Sequence, residues 1–93
     1  MLKRYLITYD IPLSKRRTKV HDLLQGYGFR VNDSVFEITV AASQIETLTA
    51  KLEALIKPKD DSVRIYSLCL SCAKVAFALG KEPTPFEAQD TQI

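Results

Sequence analysis

The segment Arg4-Tyr5-Leu6-Ile7-Thr8-Tyr9-Asp10 constrains this chain most, because it reads as a strand that is apolar on both faces. Alternate side chains of a strand point to opposite sides. Tyr5, Ile7 and Tyr9 therefore share one face, and Leu6 and Thr8 share the other with Asp10. Such a strand asks for cover on both sides, and the rest of the chain has to supply it.

Pro12 stops this strand, and Ser14 is placed to cap the following helix by accepting from unpaired N–H groups. Val20, Leu23, Leu24 and Tyr27 fall at i, i+3, i+4 and i+7, which makes one apolar stripe. Gly26 and Gly28 bracket the helix end, where a left-handed turn is usual. Phe29-Arg30-Val31 and Ser34 to Val40 read as strands, with Asn32-Asp33 between them as a turn or bulge. In the second, Ser34, Phe36, Ile38 and Val40 share one face, and Val35, Glu37 and Thr39 the other. Ser43-x-x-Glu46 is a capping box for a second helix, whose stripe is Ile45, Leu48, Leu52, Leu55 and Ile56, and Pro58 ends it. A strand from Ser62 to Leu68, a turn at the cysteines and a short apolar run from Lys74 to Leu79 follow.

The order is β-α-β-β-α-β with an extra C-terminal β-strand, an α+β ferredoxin-like sandwich. Two helices cover only one face of such a sheet. The other face of the first strand then needs a partner, and a symmetric homodimer is the simplest one. Residues 1–81 make one ferredoxin-like domain, and residues 82–93, with two prolines and three acids, make a C-terminal tail. Within the tail, Pro83-Thr84-Pro85-Phe86 is an extended peptide with one apolar anchor. It suits either a partner's surface or a disordered end.

At 46% hydrophobic and 26% charged residues, the chain is globular rather than disordered. No apolar run approaches the roughly 20 residues needed to span a bilayer. The N-terminus runs directly into the strand pattern without a signal peptide's apolar region, so the expected location is cytoplasmic, with no membrane partner. Charge is unevenly spread. Residues 1–31 carry seven Lys and Arg against Asp10 and Asp22, and residues 32–93 carry six against nine acids. Positive potential concentrated in this way attracts a polyanion, although a solvated helix face is the plainer reading of charge alone. Lys15, Arg16, Arg17 and Lys19 open the first helix, against the direction the helix dipole prefers, whereas a cationic helix start welcomes phosphate.

Cys69 and Cys72 form a single Cys-x-x-Cys, and the one histidine, His21, is distant in sequence. A closed zinc site needs four ligands, which two chains would have to pool. We expect the pair to be small buried residues in a reducing compartment. Asp10, at a strand end one loop from the cations, fits either a turn-forming aspartate before Pro12 or a metal ligand.

Five stretches in order resemble a known family. They are Tyr9-Asp10-Ile11, Lys15-Arg16-Arg17, Leu24 to Val31, Ser34-Val35-Phe36-Glu37 and Asp61 to Tyr66. Together they resemble the small CRISPR-associated adaptation protein of the Cas-two family over about residues 2–80. The resemblance implies a ferredoxin-like homodimer in antiviral defence, acting as a metal-dependent endonuclease on RNA or DNA, as a bridge for the Cas-one integrase, or as both. It implies that Asp10 is the catalytic residue and the Mg²⁺ (or Mn²⁺) ligand, meeting its symmetry mate at the dimer axis. It implies that Arg16, Arg17, Lys19 and Arg30 contact nucleic acid, which guanidinium does through phosphate oxygens without base readout. Tyr9, Phe36 and Arg64 would support the site. For Tyr9 and Phe36 packing is the competing role; Arg30 has Asp33 or Glu37 as an alternative partner, and Arg64 has Glu37. A purely non-catalytic DNA scaffold and a small-molecule-binding regulator of the same fold are the remaining readings. The chain has no glycine-rich phosphate loop to favour the regulator.

Overall fold

The computed structural model describes residues 2–80 together with Pro85 and Phe86. The element order is β1 (Leu2–Asp10), α1 (Ser14–Gln25), β2 (Gly28–Asn32), β3 (Val35–Ala41), α2 (Ala42–Leu55), β4 (Ser62–Leu68) and α3 (Leu70–Lys74). The four strands form one antiparallel sheet in the order β2-β3-β1-β4, the ferredoxin-like arrangement. Register follows the apolar pattern. Ile7 lies opposite Phe36 on β3 and opposite Ile65 on β4, and Tyr5 lies opposite Ile38.

Both long helices cover the same side of the sheet. Tyr5, Ile7 and Tyr9 of β1 and Phe36, Ile38 and Val40 of β3 are buried against Val20 and Leu24 of α1 and Leu48 and Leu52 of α2. Each such fully buried Leu, Ile, Val or Phe is worth roughly 1.5–3 kcal/mol of transfer free energy, so this layer holds the domain together. Leu23, Tyr27, Ile45, Leu55 and Ile56 of the predicted stripes pack at its margin.

The helix starts differ from the sequence reading by small steps. Ser14 is the first residue of α1 rather than its cap. At α2 the backbone N–H of Ala41 donates to Gln44 Oε1 at 2.8 Å, so only the returning half of a capping box forms, two residues before the Ser43–Glu46 pair, and Ala41 has no side-chain oxygen to complete it. Gly26 is right-handed, with φ of −75°. Gly28 is needed for another reason: it lies opposite Ile38, and a Cβ there would collide with the Glu37 carbonyl oxygen and the Ile38 side chain. The Asn32 region is a bulge, with the register shifting between Arg30 and Asn32.

Two expectations near the C-terminus are corrected. The cysteine turn is the start of α3, and both cysteines are exposed rather than buried. The run after it does not form a strand within one chain, because no edge of its own sheet pairs with it. Val75, Phe77 and Leu79 are instead 74%, 77% and 81% exposed, an alternating apolar edge without a partner strand among the described residues. The proposed tail falls almost wholly outside the described residues. Its anchor does not: Phe86 is buried, and its backbone N–H donates to Glu37 Oε1 at 2.8 Å. Glu37 stands with Leu6 and Thr39 on the sheet face that the helices leave open. Among the described residues no helix is long and apolar enough to cross a membrane.

Candidate functional site

Strand β1 ends at Asp10, and the chain turns through Ile11-Pro12-Leu13 into α1. At this end of the sheet a cleft of about 490 Å³ opens between β1, α1 and the β2–β3 turn. Asp10, Arg17, His21, Arg30 and Asp33 line it, with Tyr9 at its floor. On the open face of the sheet a second hollow, of about 270 Å³, is lined by Asp10, Thr8, Ser62, Arg64 and Tyr66. Asp10 borders both hollows and is exposed.

The basic residues expected at the site divide by what already holds them. Arg17 spends one guanidinium nitrogen on the turn, donating from Nη1 to the carbonyls of Ile11 at 2.8 Å and Pro12 at 3.3 Å. That bond fixes the turn that carries Asp10 and leaves the rest of the guanidinium in the cleft. Arg30 donates from Nη2 to Asp33 at 2.7 Å and from Nε to the Asn32 carbonyl at 3.2 Å. Its side chain is still 44% exposed, and so open an ion pair is worth about 1 kcal/mol or less and exchanges readily. Lys19 is exposed on α1 but does not line the cleft.

Arg16 departs from the expected set. Its Nε and Nη2 donate to the two oxygens of Asp61 at 2.7 and 3.0 Å, a bidentate fork onto a carboxylate whose side chain is fully buried. Asp61 also accepts from the Lys57 backbone N–H at 2.8 Å. The guanidinium edge that would grip a phosphate is therefore filled from within, and Arg16 ties α1 to the loop before β4. The Arg16 guanidinium and the Lys57 N–H hold the Asp61 carboxyl below the usual carboxylate range, against an opposing effect of burial.

Tyr9 and Phe36 belong to the packing beneath the cleft. Tyr9 is 5% exposed, its hydroxyl donates to the Asp33 carbonyl at 3.1 Å, and its ring stacks on Phe36 with centroids 6.4 Å apart. Burial pushes the Tyr9 phenol up, while the nearby Arg30 and Arg17 charges oppose that rise. Phe36 is fully buried and cannot stack on a base. Among the described residues Arg64 reaches only the Tyr66 hydroxyl, at 3.5 Å, and stays exposed beside Asp10 on the open face. Glu37, offered as a partner for Arg64 or Arg30, receives the Phe86 N–H.

His21 is the cleft residue that motif reading overlooks. Its ring meets Phe36 edge-on at 5.6 Å, and its Nε2 is buried with no hydrogen-bond partner among the described residues. Its spacing of four from Arg17 puts both on one side of α1, which is the signal that would have found it.

The residues present suit a divalent ion only in part within one chain. Among the described residues no three His, Cys, Asp or Glu side chains gather. Mg²⁺, however, is commonly held by one or two carboxylates with waters and substrate phosphates completing six positions. An exposed strand-tip carboxylate beside arginines matches that donor set once a second copy or a phosphate joins it.

Comparison with known proteins decides the family. The family model for CRISPR associated protein Cas2 matches residues 2–75. This chain belongs to the Cas2 family. It is 44% identical over 90 residues to a CRISPR-associated endoribonuclease Cas2 of Chloroflexus aurantiacus, covering 96% of this chain and 97% of that one. It is 46% identical over 68 residues to a CRISPR-associated endonuclease Cas2 of Halalkalibacterium halodurans, covering 68% of this chain and 71% of the relative. Among solved structures it resembles the hypothetical protein TT1823 from Thermus thermophilus, with a TM-score of 0.82 and 34% identity over 91% of this chain and 99% of that one. It also resembles a chain of a partial Cas6-RT-Cas1–Cas2 complex, with a TM-score of 0.72 and 32% identity over 83% of this chain and 84% of that one. The Cas2 match runs through the whole cleft, from Tyr9 to Ser34, and on to the cysteine pair.

Proposed function

We propose that this chain is a CRISPR adaptation protein that acts as a symmetric homodimer, binds nucleic acid along its phosphates and bridges a Cas1 integrase during spacer acquisition. We further infer a metal-dependent endonuclease activity centred on Asp10. The adaptation role follows from membership of the Cas2 family and from likeness to a chain of a Cas1–Cas2 complex. The nuclease reading draws on relatives named for endoribonuclease and endonuclease activity. The observation that carries both is the cleft that brings exposed Asp10 together with Arg17, Arg30 and His21 at one end of the sheet.

Asp10 from each copy would hold the Mg²⁺ or Mn²⁺ ion, with water and phosphate oxygens in the remaining positions. When bound, that ion supplies a water of lowered pKa and charge stabilisation at the phosphoryl group. The protein's own part is placement. Arg17 keeps the Asp10 turn fixed through the Ile11 and Pro12 carbonyls, and its free edge, with Arg30, receives phosphate oxygens. Tyr9 and Phe36 hold the cleft floor rigid, so the acid and the cations keep their spacing. The open sheet face, with Tyr66 and the unpaired run of Val75, Phe77 and Leu79 exposed, supplies surface for the second copy.

A non-catalytic scaffold is the second reading, and the solitary strand-tip carboxylate of each chain favours it. Asp10→Ala distinguishes the two. Divalent-ion titration on single-stranded RNA, single-stranded DNA and duplex DNA should show cleavage lost in the variant, with duplex binding unchanged at fixed salt. A wild-type dimer that cleaves none of the three with Mg²⁺ or Mn²⁺ is a scaffold.

A further inference from the structure

We propose that Cys69 and Cys72 form a reversible dithiol–disulfide site at the junction of β4 and α3, reacting with small-molecule thiols and disulfides. The two Sγ atoms lie 2.9 Å apart, and both residues are exposed. A disulfide needs about 2.05 Å between sulfurs, so under an ångström of approach brings the two sulfurs to bonding distance. The spacing follows from the fold. Cys69 is the residue at which β4 gives way to α3, and its Sγ accepts the Cys72 backbone N–H at 3.3 Å. That bond folds the first turn of α3 so that the two thiols face one another.

The surroundings assign different roles to the two sulfurs. Cys69 Sγ has three neighbours able to donate to it: the Cys72 thiol, the Ser71 hydroxyl at 3.2 Å and the Cys72 N–H. Together they bring the Cys69 thiol down to about 7, while the neighbouring Cys69 sulfur pushes the Cys72 thiol up. The thiolate is the nucleophile in exchange, so Cys69 attacks first. Its thiolate takes one sulfur of a small disulfide, forming a mixed disulfide and releasing one thiolate. Cys72 then loses its proton and attacks Cys69 Sγ, and the second thiolate leaves. Two electrons pass from the protein to the small disulfide, which departs as two thiols carrying the two protons. A zinc site does not compete within one chain, because no third His, Cys, Asp or Glu gathers at the pair among the described residues.

The pair also sits at the root of the exposed run of Val75, Phe77 and Leu79. Closing the ring fastens the turn from which that run leaves the sheet, where Ala73 N–H donates to the Cys69 carbonyl at 3.0 Å. Redox state thereby sets how firmly the run is aimed.

The test uses the full chain equilibrated with oxidised and reduced glutathione, trapped by alkylation and weighed intact. The expected product is lighter than the dithiol form by the mass of two hydrogen atoms, with little glutathione adduct retained. Cys72→Ser should instead accumulate the adduct at Cys69. In the reduced wild type, iodoacetamide at neutral pH should label Cys69 roughly fivefold or more faster than Cys72. Amide exchange at Ala73 to Ala76 should slow on oxidation, and unchanged exchange removes the tie to the run. Equal labelling rates, or a wild type that retains the adduct as fully as Cys72→Ser, would overturn the site. So would zinc binding of one ion per two chains that shields all four thiols.

Discussion

Arg16 and Asp61 are joined by two parallel bonds, Nε to Oδ2 at 2.7 Å and Nη2 to Oδ1 at 3.0 Å, across 45 residues of chain. This clamp commits a helix-start arginine to the fold, tying α1 to the loop before β4. Its consequence for stability has a defined pH sign. The folded Asp61 carboxyl titrates below its unfolded value, so the clamp contributes fully above the ordinary aspartate pKa of about 3.9. The contribution fades as pH falls through the lower folded value. Arg16→Ala should melt several degrees below wild type at neutral pH, and the two curves should converge in acid. Melting points that stay separated after Asp61 protonates would contradict the assignment.

Phe36 gives a test of packing against recognition. It lies fully buried between Tyr9 and His21, beneath the cleft rather than in it. Phe36→Ala should cost about 3–5 kcal/mol in denaturant unfolding. Phe36→Leu should recover most of that and bind nucleic acid with wild-type affinity. Loss of binding by a stable Phe36→Leu protein would mean that the ring meets substrate directly.

Most of the architecture was legible because it rests on local repetition. The stripe of Val20, Leu23 and Leu24 and the alternation of Phe36, Ile38 and Val40 each state which side is buried, and the sheet order follows from packing those sides together. Partnerships between distant segments were not legible in the same way. Nothing near Arg16 announces Asp61, and nothing near Glu37 announces Phe86, because those pairs exist only once the sheet has brought the segments together. Asp10, Arg17 and Arg30 were recoverable from family motifs, whereas His21 carries no motif and enters the cleft through helix spacing alone. The run after α3 has strand composition but no edge to join within its own chain.

Glu37 reports on the seat of Phe86. Burial on the open sheet face pushes its carboxyl up, and the Phe86 N–H draws it partly back. A folded pKa above the unfolded one means that charged Glu37 costs stability at neutral pH. That cost is absent below the unfolded value of about 4.3 and complete above the folded one. Glu37→Gln keeps an oxygen for Phe86 and removes the charge. Its melting point should exceed wild type at neutral pH, with the gap closing in mild acid. A lower melting point at neutral pH would show that the charge is stabilising.

The arginines should separate in salt titrations of duplex DNA binding. Removing one cation from a phosphate reduces the slope of log affinity against log salt by about one. Arg17→Ala and Arg30→Ala should each lower the slope by that amount, and Arg16→Ala should leave it unchanged where the variant is folded. A reduced slope for Arg16→Ala would return that residue to the nucleic-acid surface.

Binding stoichiometry for Mn²⁺, measured by titration calorimetry on protein shown to be dimeric by sedimentation, tests the shared Asp10 centre most directly. The expected result is one ion per two chains, with all heat of binding lost in Asp10→Ala. One ion per chain, or binding that survives the substitution, would contradict a metal centre built from two strand tips.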